Sequence, residues 1–235
     1  MRKTYIDNIR WMTVILVVIY HVFYMFNGQV TSGVIGPFTP VQYQDVVQYF
    51  VYPWFMLLLF VISGMSARFY LNGHSDKEFL KSRTTKLLVP STIGLFVFWW
   101  ILGYYNMMIG GAFENMSAVP KPLLYVIMAV SGIGALWYIQ LLWAVSLFLL
   151  FIRKIEKDRL YGLCEKANLP VLLCMTPVIW GAAQILNTPV IVVYRFGIYG
   201  VGFLLGYYIF FHDAVMERLE KWWFPLTLAA LGLGI

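Results

Sequence analysis

The 235 residues are 61% hydrophobic, 18% aromatic and only 12% charged, at mean hydropathy +0.75; an ordinary soluble domain, with roughly 25% charged residues, is excluded. Two cysteines, Cys164 and Cys174, cannot build a disulfide scaffold and imply no oxidising compartment. The net charge of +6 is not gathered into one soluble basic face, so no nucleic-acid partner is expected. What remains is an all-α, polytopic bundle of transmembrane helices embedded in a lipid bilayer.

A crossing needs about 20 mostly apolar residues. Such runs lie near 9–27, 46–67, 87–109, 134–152, 169–187 and 192–211, and a seventh starts at Trp222. From Trp222 to Ile235 a helix rises only about 21 Å against a hydrocarbon core of about 30 Å. A single domain over 1–235 with about seven spans is therefore expected, either C-terminally truncated or ending in a helix that is short or half-inserted. The stretch Leu123–Val130 is too short to cross; prolines before it and Ser131-Gly132-Ile133-Gly134 after it predict an interfacial or re-entrant segment.

Fifteen of the seventeen Lys and Arg residues fall on one side of these runs. They comprise Arg2, Lys3 and Arg10 at the start, five between spans two and three, five between spans four and five, and Arg218 and Lys221. Lys121 and Arg195 fall on or near the other side. The N-terminus is accordingly expected in the cytoplasm. Asp7 and His21 interrupt the first apolar run, and no small-residue cleavage site follows it, so it reads as a retained helix rather than a signal peptide. The loop 28–45 is long, polar and nearly uncharged, and reads either as a plain connector or as a surface for a sugar-like acceptor.

The first helix carries the informative ionisable residues. Arg10 and His21 are eleven positions apart, which at 100° per residue leaves them about 20° apart on one face and about 16 Å apart along the axis. Asp7 stands one turn before Arg10, at ion-pair spacing. Arg10 has two readings, a cation anchored at the headgroups or a functional group. His21 also has two, an interhelical hydrogen bond or a site, since an ionisable group deep in hydrocarbon is costly unless it faces protein or water. His74 and His212 are expected to be solvated. No spacing among the histidines and cysteines suggests a metal centre.

Tyr5-Ile6-Asp7-Asn8-Ile9-Arg10, with ten residues before His21, resembles the start of the acyltransferase-3 family of integral membrane acyltransferases, whose first helix carries an Arg-x10-His motif. Leu59-Phe60-Val61-Ile62-Ser63-Gly64-Met65 is similar to its "FFxxSGF" segment. Arg83-Thr84-Thr85-Lys86-Leu87-Leu88-Val89-Pro90 resembles its "RxxRLxxP", Leu136-Trp137-Tyr138-Ile139 its "LWFL", and Phe203-Leu204-Leu205-Gly206-Tyr207 its "FxLGY". Lys86 replaces the second arginine, keeping charge but losing the bidentate fork. Ala135 stands where some members have histidine. The family's usual ten or so helices would make this chain its N-terminal seven or so.

The resemblance implies a multi-pass enzyme of a bacterial-type plasma membrane. It would move an acyl group, acetyl or succinyl, from cytoplasmic acyl-CoA to a hydroxyl of a glycan or lipid-linked sugar, as in O-acetylation of cell-envelope polysaccharide. Acyl-CoA is then a donor substrate and no cofactor is held permanently. Arg10, Arg83 and Lys86 would hold the coenzyme's phosphates. His21, with Arg10, would be catalytic, as general base or as acyl-carrying nucleophile. Asp7 would orient Arg10, and Ser63 and Gly64 would support close helix packing. Trp137 and Tyr138 would meet the sugar, unless they serve only as interfacial aromatics. A different class, a non-enzymatic exporter of a glycan or polyisoprenoid-linked sugar, is suggested by the polar Gln140 and Gln184 inside spans; it would require inverted repeats and broken helices.

Overall fold

The computed structural model describes residues 4–28, 36, 43–185 and 195–233, and the described residues are helices and their connections. In chain order these are α1 (Thr4–Met25), α2 (Gln44–Leu71), α3 (Asp76–Ile109), α4 (Lys121–Ser131), α5 (Leu136–Glu156) and a short α6 (Arg159–Cys164). There follow α7 (Leu169–Gln184), α8 (Phe196–Tyr208), α9 (Asp213–Lys221) and α10 (Trp223–Leu233). The expected loop 28–45 lies largely outside the described residues, as do the end of the fifth expected span and the beginning of the sixth.

Four helices, α1, α2, α3 and α5, are long and apolar enough to cross a membrane, which makes the chain an all-α membrane bundle. The other three expected crossings are present as shorter apolar helices. Proline explains one of them. Pro177 has no N–H to offer the carbonyl of Leu173 and its ring crowds that carbonyl; α7 breaks there, into Leu169–Leu173 and Met175–Gln184. The chain bends by 105° between α8 and α9. The α9 sequence, with Asp213, Glu217, Arg218, Glu220 and Lys221 on one side of Val215 and Leu219, suits a helix lying at an interface rather than crossing it.

Two features of α3 bear on the site. Its first turn is capped by Ser75 and Glu78, each side chain bonding the other's backbone N–H, the reciprocal arrangement that satisfies two free donors. Thr84–Leu88 is then wound as π-helix. Pro90 lies four residues after Lys86, so it withholds a donor from the Lys86 carbonyl and presses on it. Widening of the preceding turn relieves that clash, and such π turns are frequent at functional positions.

The core is built around α2 and α8. Phe55, Phe60, Phe203 and Tyr207 are fully buried between them, with Leu141 and Leu149 from α5. The axes approach closely because small residues face carbonyls: a Cβ at Gly64 would overlap the Phe203 carbonyl, and one at Gly206 the Val61 carbonyl. This is the close packing expected at Ser63-Gly64, and it is the means by which helices associate in lipid, where no hydrophobic drive brings them together. The stretch around Leu123–Val130 forms α4, which folds back against α3. Gly103 sits on the Met128 carbonyl and Gly132 on that of Trp99, an arrangement that fits a segment too short to cross.

Charged side chains from three connections meet at one end of the bundle. Arg68 at the end of α2 donates to Asp158 (2.7 Å) and to the Tyr207 hydroxyl (3.0 Å). Arg153 at the end of α5 pairs with Asp76 at the start of α3, and also approaches Asp158 (3.7 Å). Arg218 of α9 donates to the carbonyls of Glu165 and Ala167. Residues that the sequence assigns to one face of the membrane thus come together in space.

Candidate functional site

Next to that paired network lies a different kind of polar space, a cavity of about 360 Å³ between α1, α2, α3 and α5. Its walls bring together Arg10, Ser63, Ser66, Arg83, Lys86 and Tyr138. Arg10 is aimed by two neighbours: Asp7, one turn earlier at 3.4 Å, and the Ser66 hydroxyl, to which it donates. Ser66 in turn donates to the Ile62 carbonyl at 2.9 Å, so the α2 backbone fixes the hydroxyl that fixes the guanidinium.

Arg83, the last residue before the π-wound turn of α3, and Lys86 within that turn are three positions apart and both line the cavity. That turn is tied to α5 by Trp143, whose indole N–H donates to the Thr84 hydroxyl at 3.1 Å. Arg83 lies over the Phe79 ring at 5.0 Å. Among the described residues, neither Arg83 nor Lys86 has a carboxylate within ion-pair distance. Among the described residues, three cations thus line a cavity whose walls carry no carboxylate; Asp7 meets Arg10 from outside those walls. An enclosure with this imbalance attracts anions, and arginine forks match phosphate oxygens best.

One helical turn before Ser66 on α2, Ser63 is buried and bonded to the Tyr138 hydroxyl of α5 at 3.0 Å. The sequence groups Tyr138 with Trp137 as a pair meeting a sugar. The structure separates them. Tyr138 turns its hydroxyl into the cationic cavity, whereas Trp137 packs into the aromatic core against Phe60 and Tyr199. Consecutive residues on a helix point about 100° apart, so one could face the cavity only if the other faced the core.

His21 is not a wall of this cavity. The expectation that it shares a sheltered face with Arg10 is met only in part. Along α1, Ile6, Thr13, Val17 and Tyr20 form the seam with α2, Arg10 stands at its edge, and His21 is exposed beside it. Its Nδ1 lies 2.7 Å from the Val17 carbonyl. A carbonyl only accepts, so Nδ1 is the donor in that contact, and in a neutral ring the lone pair is then on Nε2. The Tyr20 ring meets the imidazole edge-on at 5.4 Å.

His74 is exposed, as expected, and stacks on Tyr70. His212 differs from expectation: it is buried, stacked on Tyr161 at 4.0 Å between ring centroids and bonded through Nε2 to the Tyr161 carbonyl. Burial holds its imidazole below the ordinary pKa value. The other face of Tyr161 carries the Arg68 guanidinium, 3.6 Å from the ring centre. Among the described residues no three His, Cys, Asp or Glu side chains gather as metal ligands.

No curated protein and no solved structure matches the chain. A family model does, and along the whole length that holds the cavity: the acyltransferase-3 model, described as an acyltransferase domain, matches residues 3–235, and the chain belongs to that family of membrane acyltransferases.

Proposed function

We propose that the protein is an O-acyltransferase of the plasma membrane. It takes an acyl group, acetyl or succinyl, from cytoplasmic acyl-CoA and transfers it to a hydroxyl of a glycan or lipid-linked sugar. The observation that carries the donor assignment is the cavity in whose walls Arg10, Arg83 and Lys86 converge, with Asp7 at ion-pair distance from Arg10 alone among the described residues. The coenzyme's diphosphate and 3′-phosphate are the anions of the right charge, and the family supplies the need for an acyl donor.

In this reading the phosphates bind at the three cations and the pantetheine arm runs along α1, so that the thioester comes to the level of His21, about 16 Å of helical rise above Arg10. His21 is the general base. Its Nε2 takes the proton of the acceptor hydroxyl while that oxygen bonds to the thioester carbonyl carbon; the carbon–sulfur bond then breaks, and the leaving thiolate recovers the proton from the imidazolium. The support for this role is the bond from Nδ1 to the Val17 carbonyl, which, of the two neutral tautomers, favours the one with Nε2 unprotonated.

Titration of the purified protein with CoA, together with acetyl transfer in cells, tests both halves. Removing the charges of Arg10, Arg83 and Lys86 together is expected to weaken CoA binding at least hundredfold, at about 1.5–3 kcal/mol per charge-assisted contact. His21→Ala is expected to abolish transfer while leaving CoA affinity within about twofold. Affinity indifferent to the three charges overturns the donor site. Transfer that survives His21→Ala overturns the base.

A further inference from the structure

The bond between Ser63 and Tyr138 has a consequence for whatever enters the cavity. In a pair of hydroxyls one proton is spent inside the pair, and the accepting hydroxyl keeps its own. Neither side chain has another hydrogen bond among the described residues, so the pair offers one unspent O–H donor. It does so from a buried position, Ser63 being 6% exposed, on the wall that also carries Arg10 and Arg83. A donor in such surroundings favours a ligand oxygen, because leaving it without an acceptor is costly.

The level of this donor matters. Ser66 holds Arg10, and Ser63 is three residues earlier on α2, about 4.5 Å along the axis. Because α1 and α2 run antiparallel, this displacement is in the direction from Arg10 towards His21. The aromatic contacts of Tyr20 with Tyr52 and Phe55, still further up α2, fix that sense. The hydroxyl pair is therefore one turn beyond the cations and well short of the His21 level. It is too near the phosphate-binding end to touch a thioester held at His21.

We propose that Ser63 and Tyr138 form a recognition point for the pantetheine arm of the donor. The pair donates its free O–H to an oxygen of the pantoyl unit, the hydroxyl or the amide carbonyl that follow within a few bonds of the coenzyme's diphosphate. The proposal rests on the acyl-CoA reading above and deepens it. The cations select any polyphosphate of suitable charge, and the hydroxyl pair selects those that carry a pantetheine arm. Tyr138 is a specificity-determining residue in this scheme, not a catalytic one.

The test compares two probes on the full chain in detergent. CoA has phosphates and arm; adenosine 3′,5′-bisphosphate has phosphates only. Tyr138→Phe keeps the ring against Phe60, with which it makes an edge contact at 5.0 Å, and removes only the hydroxyl. It is expected to weaken CoA three- to tenfold, one neutral hydrogen bond, and to leave the bisphosphate unchanged. Unchanged bisphosphate binding also reports an intact cavity, and it assigns the arm to free coenzyme rather than to a carrier protein, whose phosphopantetheine brings no adenosine phosphate. Arg83→Gln is expected to weaken both probes. Equal losses of both probes in Tyr138→Phe, or no loss of CoA, overturn the recognition point and leave the donor site standing. Failure of the unaltered protein to bind either probe overturns both.

Discussion

Arg68 and Arg83 stand on consecutive helices at the same charged end of the bundle, and their surroundings differ in kind. Arg68 is paired inside the protein: Asp158 and the Tyr207 hydroxyl accept from it, and Tyr161 covers it. Arg153 beside it meets Asp76 and Asp158. Arg83 has an aromatic ring beneath it and another arginine across the cavity, and among the described residues no carboxylate within ion-pair distance. In the first cluster charge is neutralised within the protein and joins α2, α3, α5 and α6. In the second it is left unbalanced around an open space. Charge already paired inside a fold contributes to stability, and charge left facing a cavity contributes to binding.

The largest effect that would break this contrast is on stability. Arg68→Ala removes the two hydrogen bonds and the stacking on Tyr161, and leaves the partly covered Asp158 carboxylate without its nearest cation. A loss of about 3 kcal/mol is expected, below the upper range for fully buried pairs because Asp158 is 43% exposed. Thermal unfolding in detergent measures it. CoA affinity of the protein that remains folded is expected to stay within about twofold; a large affinity loss would show that the two clusters are one.

Arg83→Gln should do the reverse. Loss of one charge-assisted contact to phosphate weakens CoA by about 2 kcal/mol, some thirtyfold. Stability should change by no more than about 0.5 kcal/mol, since no ion pair is broken. Calorimetric titration and unfolding of the same sample give both numbers. A marked destabilisation with little loss of affinity would move Arg83 into the structural cluster.

Arg83→Lys sharpens the point with a smaller effect. The charge stays and the planar fork goes, so about 1 kcal/mol of CoA affinity is expected to be lost. Lys86 already occupies the second cationic position as a point charge. If Arg83→Lys binds CoA as well as the unaltered chain, the site reads charge alone and needs no fork.

These contrasts were only partly legible in the sequence. Arg10, Arg83 and Lys86 are local signals: each sits where a charged loop meets an apolar run, and a one-dimensional reading finds such boundaries. The long crossings are legible for the same reason, and so is the glycine at position 64, next to a serine inside an apolar run. Tyr138 is not, because its meeting with Ser63 depends on how α5 crosses α2, across 75 positions of chain. Pro177 is visible as a residue, but the sequence alone does not say whether a proline kinks a helix or, as here, divides it. Exposure of His21 follows from α1 packing along a single seam, a property of neighbours that periodicity within α1 does not contain.

His212 departs from the sequence expectation on the same grounds, and it supplies the smallest effect. It lies at the turn between α8 and α9, beyond the apolar part of α8, where a polar residue at a helix end reads as solvated. The fold instead stacks it on Tyr161, the ring that Arg68 covers from its other side. Burial lowers its pKa in the folded state. Arg68 acts in the same direction, while Glu165 and the bonds to the Tyr161 and Tyr208 backbones act against it. The unfolded chain, with an ordinary imidazole near 6.5, then binds a proton more readily than the folded one. The stability contribution is therefore full above that pH and is lost as pH falls through the lowered folded value, where the native ring must also become charged. His212→Gln retains an N–H that can donate to the Tyr161 carbonyl but does not titrate. Its unfolding temperature is expected to decline less between neutral and mildly acidic pH than that of the unaltered protein. Parallel declines would mean that the ring is hydrated in the bilayer-embedded protein and takes no part in holding the Arg68 cluster together.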